Sequence, residues 1–242
     1  MLIGILYSPV AFPYHIPMNS ELENDIMKVN SFDELMLEME TKGVFVDEGK
    51  VIWRIMDMIM FPLGGYFPEG MTQVYQFMKI EDGLRSKAIG LLSSSPESWK
   101  SIQVPVLVER LFFCLGRLSR DPVSNRMILD GIKLILDATE RNSPGLLKTI
   151  KDPEGDNIMG IIFKKSGVFS AIGAVFSYGY CNLSKIVEET LLGSGMLGIV
   201  ELLVSKFGFG VDTVVHGNPR LVELVGQDCF RKLGILLDRG ED

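Results

Sequence analysis

Few residues in the chain have the type and spacing that chemistry needs. It has only two histidines, His15 and His216, and three cysteines, Cys114, Cys181 and Cys229. A histidine-based triad needs a nucleophile and a carboxylate beside the imidazole, and neither histidine has such a set nearby in sequence. The cysteines are widely spaced with no CxxC pair, so no zinc-type ligand set forms. Gly193-Ser194-Gly195 is too short for a nucleophile elbow and follows an apolar helical pattern, which makes it a helix break. GLLKT, from Gly145 to Thr149, lacks the first glycine and the Gly-Lys pair of a phosphate-binding loop. DPEGDN, from Asp152 to Asn157, gathers Asp152, Glu154 and Asp156 in one loop. It lacks EF-hand ligand spacing and reads as a solvated turn. His216 sits in HGNP, a turn or capping context. Asn182-Leu183-Ser184 has the form of a glycosylation sequon, with Ser184 read instead as a helix cap. No catalytic residue, cofactor or metal is assigned, and the expectation is a protein that is not an enzyme.

Residues suited to holding a partner are easier to find. Arg110, Arg117, Arg120 and Arg126 cluster around one helix pair, with Glu109 and Asp121 between them. They make either a basic patch for an acidic peptide or RNA, or a salt-bridged helix surface. The only tryptophans, Trp53 and Trp99, complete the candidate partner-binding set. The opposite sign gathers near the N-terminus: Ser20 to Lys50 holds nine acidic and three basic residues. This is a solvated helix face or a contact surface for a basic peptide. Across the chain, 24 basic and 31 acidic residues leave a net charge of −7. An acidic balance argues against general binding to the phosphate backbone of nucleic acids. The 13 methionines, Met36, Met39, Met56, Met58, Met60, Met71 and Met78 among them, mostly fall at helical core spacing.

The elements that must position these residues are helical. Apolar residues are 47% of the chain, enough for a large core. Ser31 is an N-cap with Glu34 at capping-box spacing, followed by Phe32, Leu35, Met36 and Met39 on one face. Val51, Ile52, Ile55, Met56 and Ile59 form the next stripe. Phe61 to Met71 is rich in proline and glycine and reads as a loop, with helical pattern resuming at Thr72. Val104 to Leu118 is the clearest amphipathic helix, with Pro105 in its first turn. Asp121-Pro122 breaks the chain, and a helix from Val123 is interrupted by Gly131 before Ile132 to Ala138. Asn142 to Asn157 reads as a polar connecting loop. Ile186 to Leu192 and Met196 to Phe207 pair around Gly193 to Gly195, and Arg220 to Leu237 is the final helix. Val44 to Val46 and Val211 to Val215 are short, isolated β-branched runs. Residues 1–19, punctuated by Pro9, Pro13 and Pro17, form an extended arm ahead of a single domain over 20–242. Lys and Arg are absent before Lys28, so a secretory signal is not expected, no run is long enough for a membrane span, and the expected location is the cytoplasm.

One pattern recurs: an amphipathic turn, a break at glycine, then a second apolar helix. It is cleanest from Leu118 to Thr139 and from Cys181 to Lys206, looser from Gln73 to Ser95, and loosest from Ser31 to Met56. The pivots are Gly43, Gly83, Gly131 and Gly195, spaced 40, 48 and 64 residues apart. These segments resemble the armadillo repeat family. The resemblance implies an all-α, armadillo/HEAT-like right-handed helical solenoid whose concave face holds proteins. A scaffold or adaptor, as a subunit of a larger complex, follows from it. No regular ladder of tryptophan and asparagine is present, so the peptide clamp of the import receptors in that family is not implied. An irregular α-bundle and a mixed α/β fold are the alternative architectures. The alternative role is an α-helical viral or cellular assembly protein, matrix- or nucleoprotein-like, that self-associates or binds RNA.

Overall fold

A computed structural model describes residues 20–43, 47–60, 82–176 and 183–210. The described residues are helical, without a strand. Among the described residues ten α-helices follow in chain order: α1 Ser20–Lys28, α2 Phe32–Thr41, α3 Glu48–Met60, α4 Asp82–Ser94, α5 Val104–Arg117, α6 Pro122–Asn142, α7 Ile158–Ser166, α8 Val168–Phe176, α9 Leu183–Gly193 and α10 Leu197–Ser205. Single 3-10 turns at Ser98–Ser101 and Leu146–Lys148 sit in two of the connections.

Local chemistry sets the helix ends. The Ser31 hydroxyl accepts the Glu34 amide at 3.2 Å, and Glu34 reaches back to the amide of Asn30 at 2.7 Å, one residue earlier than a standard capping box. Pro105 lies in the first turn of α5, where its missing N–H costs nothing. Asp121 caps α6 by accepting the amides of Val123 and Ser124, and Pro122 opens the helix. Asn157 caps α7, which ends at Gly167 in the left-handed region, φ 87°. Gly195, at φ 73°, makes the turn between α9 and α10. Ser184 falls inside α9 rather than at its cap.

Helix α6 is the spine. Its Ile132, Ile135, Leu136 and Ala138 are fully buried, and it packs against α3, α4, α5 and both 3-10 turns. Gly131 does not interrupt it: α6 runs unbroken through that position. A Cβ there would lie 2.0 Å from Sδ of Met60, so the glycine lets α3 approach α6 closely. Gly83 likewise lies in the first turn of α4 and is not a break between helices. The Asn142–Asn157 connection is more than polar linker, because Leu147 in its 3-10 turn is fully buried. The stripes on α3, α5 and α10 face the core as their spacing predicts, with Ile55, Leu111 and Leu203 fully buried. Among the described residues, no helix is long and apolar enough to cross a membrane. The N-terminal arm, Val44 to Val46, the Phe61 to Met71 loop, the resumption at Thr72, Met71, Met78, His15, His216, Cys181, Cys229, Val211 to Val215 and the helix expected over Arg220 to Leu237 lie outside the described residues.

Candidate partner-binding surface

Two helices carry most of the candidate residues. Trp53 projects from α3 and is half-buried, and the apolar stripe of α3 fixes its position by holding the opposite face in the core. Helix α5 does the same for its outer face: Leu107, Leu111, Cys114 and Leu115 point inward, which leaves Arg110, Phe113 and Arg117 outward at three- and four-residue steps. The Arg110 guanidinium stands 5.4 Å from the Trp53 ring centroid and 5.8 Å from that of Phe113. Arg117 stands 5.1 Å from the same Phe113 ring centroid. Trp53, Arg110, Phe113 and Arg117 thus form one strip of alternating rings and cations, each pair within cation–π reach.

The strip is anchored from below. Trp99 is only 1% exposed, and its indole Nε1 donates to the carbonyl of Leu92 at 2.9 Å. Its ring meets Trp53 edge-on, with centroids 6.2 Å apart and planes at 89°. Trp99 therefore supports Trp53 from the core and is closed to direct contact with a partner. Asp57 pairs with Arg110 at 3.3 Å. Burial pushes the Asp57 carboxyl above its usual value, against the opposing pull of Arg110 and Arg54. Behind the pair lies Cys114, fully buried, its Sγ 3.5 Å from Sδ of Met60. Desolvation is the main cause that pushes its thiol up to about 12, so it stays protonated and unreactive in the native protein.

The four arginines do not form one patch. Arg120 leaves the strip and donates to the Ser170 hydroxyl at 3.2 Å, with its guanidinium lying across Gly167. Arg126 is exposed on the second turn of α6. Phe113, absent from the sequence candidates, ties Arg110 to Arg117, and Asp57, also absent from them, pairs with Arg110 alone. The signal for Phe113 was its place three residues after Arg110 and four before Arg117. Asp57 sits four residues after Trp53 on α3, but its pairing with α5 leaves no mark in local sequence.

The acidic features resolve differently. Asp152, Glu154 and Asp156 bring carboxylate oxygens within 4.8 Å of one another. Asp152 Oδ1 accepts the amides of Glu154 at 2.9 Å and Asp156 at 2.8 Å, and the Lys164 ammonium pairs with Glu154 and with Asp156 at 3.5 Å. A self-capped turn, its charge partly offset by one lysine, is the result. On α1 and α2, the nearly buried Asp25 carboxylate takes the Lys42 ammonium at 2.5 Å, and the exposed carboxylates of Asp33, Glu34 and Glu40 remain on the surface. Compared with known proteins, the chain matches no family model, no curated protein and no solved structure.

Proposed function

We propose that the chain is a non-catalytic protein-binding scaffold or adaptor, and that an armadillo-like serial stack of helices presents its binding surface. The observation that carries this reading is the strip of Trp53, Arg110, Phe113 and Arg117. Tryptophan and arginine dominate the energetics of protein interfaces because a rigid ring and a planar guanidinium bury much area with little loss of side-chain freedom. Here they lie side by side on two helices, and Asp57 and Trp99 hold two of them in place before any partner arrives.

The serial stack is supported by which helices touch. Every well-packed helix pair is separated by at most three places in chain order, and α1 with α4, α3 with α6, and α7 with α10 pair at an interval of three. A three-helix repeat produces that interval when equivalent helices of successive repeats stack. A reducing, cytoplasmic setting suits the buried free thiol of Cys114. A partner with acidic and apolar side chains fits the strip, since Arg117 offers its guanidinium to solvent there.

The test is comparative capture. The full chain and the variants Arg117→Glu and Phe113→Ser are used as baits in lysate of the native source, after melting curves show that the variants are folded. The expected outcome is at least one protein retained in stoichiometric amount by the wild type and lost from both variants. Equal recovery by all three baits excludes the strip. Retention of nucleic acid in place of protein, lost at high salt, favours the assembly-protein alternative.

A further inference from the structure

The strip differs along its length. Three apolar side chains line it: the half-buried Trp53 of α3, and Val106 and Phe113 of α5, at 37% and 36% exposure. Val106 stands seven residues before Phe113, so the two share one face of α5, about 10 Å apart along its axis. Arg117 follows on the same face, one turn further on. Apolar anchors at this spacing match the i and i+7 side chains of a second helix laid along α5.

Charge divides the strip into two halves. Around Trp53 and Val106, four carboxylates (Asp47, Glu48, Asp57 and Glu109) stand against Lys50, Arg54 and Arg110, a balance of −1. Arg110 pairs with Asp57 at 3.3 Å, and Arg54 acts on the same carboxyl. Beside Trp99, Lys100 and Glu97 pair with each other at 2.5 Å. Past Phe113 the balance changes. Arg117 is exposed, and Lys165 reaches in from α7 to donate to the carbonyl of Gly116 at 2.7 Å. Neither is in an ion pair among the described residues: Glu154 and Asp156 hold the neighbouring Lys164, and Asp121 caps α6. Arg120 is held by Ser170 and offsets Asp121 beside it, so this pair adds no net charge. The carbonyl end of α5 contributes about half a negative charge. Two cations therefore leave that end basic, in a chain whose net charge is −7.

We infer that the strip holds an amphipathic helix of a partner protein whose carboxylates are gathered at one end, over Arg117 and Lys165, and whose remaining contact face is apolar and uncharged. Apolar side chains a heptad apart cover Val106, Trp53 and Phe113, and the terminal carboxylates meet the two cations. A helix acidic along its whole length is disfavoured, because it sets carboxylates against Asp57 and Glu109. This inference rests on the scaffold reading and narrows its partner.

Two fluorescently labelled peptides of identical composition test it, each a helix of leucine, alanine and glutamate with the same leucine face. In the first, the glutamates form a block at one end. In the second, they are spread along the whole length. Anisotropy measured with the full chain is expected to show the block peptide binding about fivefold more tightly, the size of one or two exposed charge contacts. At high salt the preference is expected to shrink, since screening shortens to about 3 Å at 1 M. The double variant Arg117→Gln, Lys165→Gln, shown to be folded by its melting curve, is expected to bind both peptides equally. The inference is overturned by equal affinity of the wild type for the two peptides, by a block peptide that does not bind, or by a preference that survives in the double variant. Phe113→Ser judges the strip separately. If the wild type binds both peptides equally and this variant loses both, the scaffold reading stands and only the placement of charge is wrong. If the wild type and Phe113→Ser bind the peptides alike, the strip falls with the inference.

Discussion

At the scale of single residues, Asn125 does more than any position singled out from sequence. It is fully buried at the start of α6. Its Oδ1 accepts the Ser119 amide at 3.0 Å, and its Nδ2 donates to the carbonyls of Ser119 at 2.7 Å and Ser194 at 2.8 Å. One amide thus joins the α5–α6 connection to the α9–α10 turn. Asn125→Ala removes the partner of three backbone groups, of which the Ser194 carbonyl is bonded in a buried site while those of Ser119 are part-buried, and an orphaned buried group costs about 1–3 kcal/mol. Urea denaturation should show a loss of at least about 2 kcal/mol, since relaxation and water entry recover part of the sum. Asn125→Asp is expected to fare little better, because a carboxylate accepts from Ser119 but cannot donate to either carbonyl. A midpoint within error of the wild type would mean that water replaces the side chain there. Nothing local in RDPVSNRM announces this role: the residue reads as an ordinary polar position of a helix start. Trp99 hid its role in the same way. Its type suggested a binding residue, and only the packing of Leu92 and Trp53 around it assigns it to the core.

At the scale of elements, what was legible is what neighbours in sequence decide. The cap at Ser31, the proline start of α5, the break at Asp121-Pro122 and the α9–α10 break at Gly195 each depend on residues within a turn or so of one another, although the Asp121-Pro122 break proves to be the cap and first residue of α6. Gly131 shows where that reach ends. Glycine inside an apolar pattern reads as a break by propensity alone, because it costs about 1 kcal/mol in a helix relative to alanine. Here α6 continues, and the glycine admits the Met60 side chain. The two effects can be separated by substitution. Gly131→Ala improves helix propensity yet should destabilise the protein, since the new methyl would sit 2.0 Å from Sδ and 2.3 Å from Cγ of Met60. With Met60→Ala already present the obstacle is gone, and the same glycine change should be neutral or stabilising. A double-mutant cycle by thermal melting should therefore give a coupling of about 1–3 kcal/mol. Additive effects would show that α3 yields without strain and that the close approach is not what keeps glycine there.

At the scale of the whole molecule, the order in which helices pack makes a claim about how the protein comes apart. Helices α1 to α4 pack among themselves and on α6, while α7 to α10 pack among themselves and on α5. Stability in such an arrangement is a chain of neighbour terms, and damage at one end should spread only as far as each next interface is weakened. A compact bundle with one shared core would instead lose its structure as a unit. Leu203 is the lever, because it is fully buried on α10, far along the chain from α3. Leu203→Asp places an unpaired charge in an apolar site, a change that a small core does not tolerate. Hydrogen exchange read peptide by peptide should then lose protection over α9 and α10 first and over α7 next. Ile52 to Met60 of α3, and Ile128 to Ala138 of α6, should keep most of theirs, because these two helices pack mainly on each other and on α4 and α5. The reciprocal change, Ile52→Asp in the buried stripe of α3, should spare α9 and α10 and strip α3 and α4. Uniform loss of protection in both variants would contradict serial packing and, with it, the armadillo-like reading. Graded loss from the damaged end would tie the helix order written in the sequence to the mechanical independence that an extended binding surface requires.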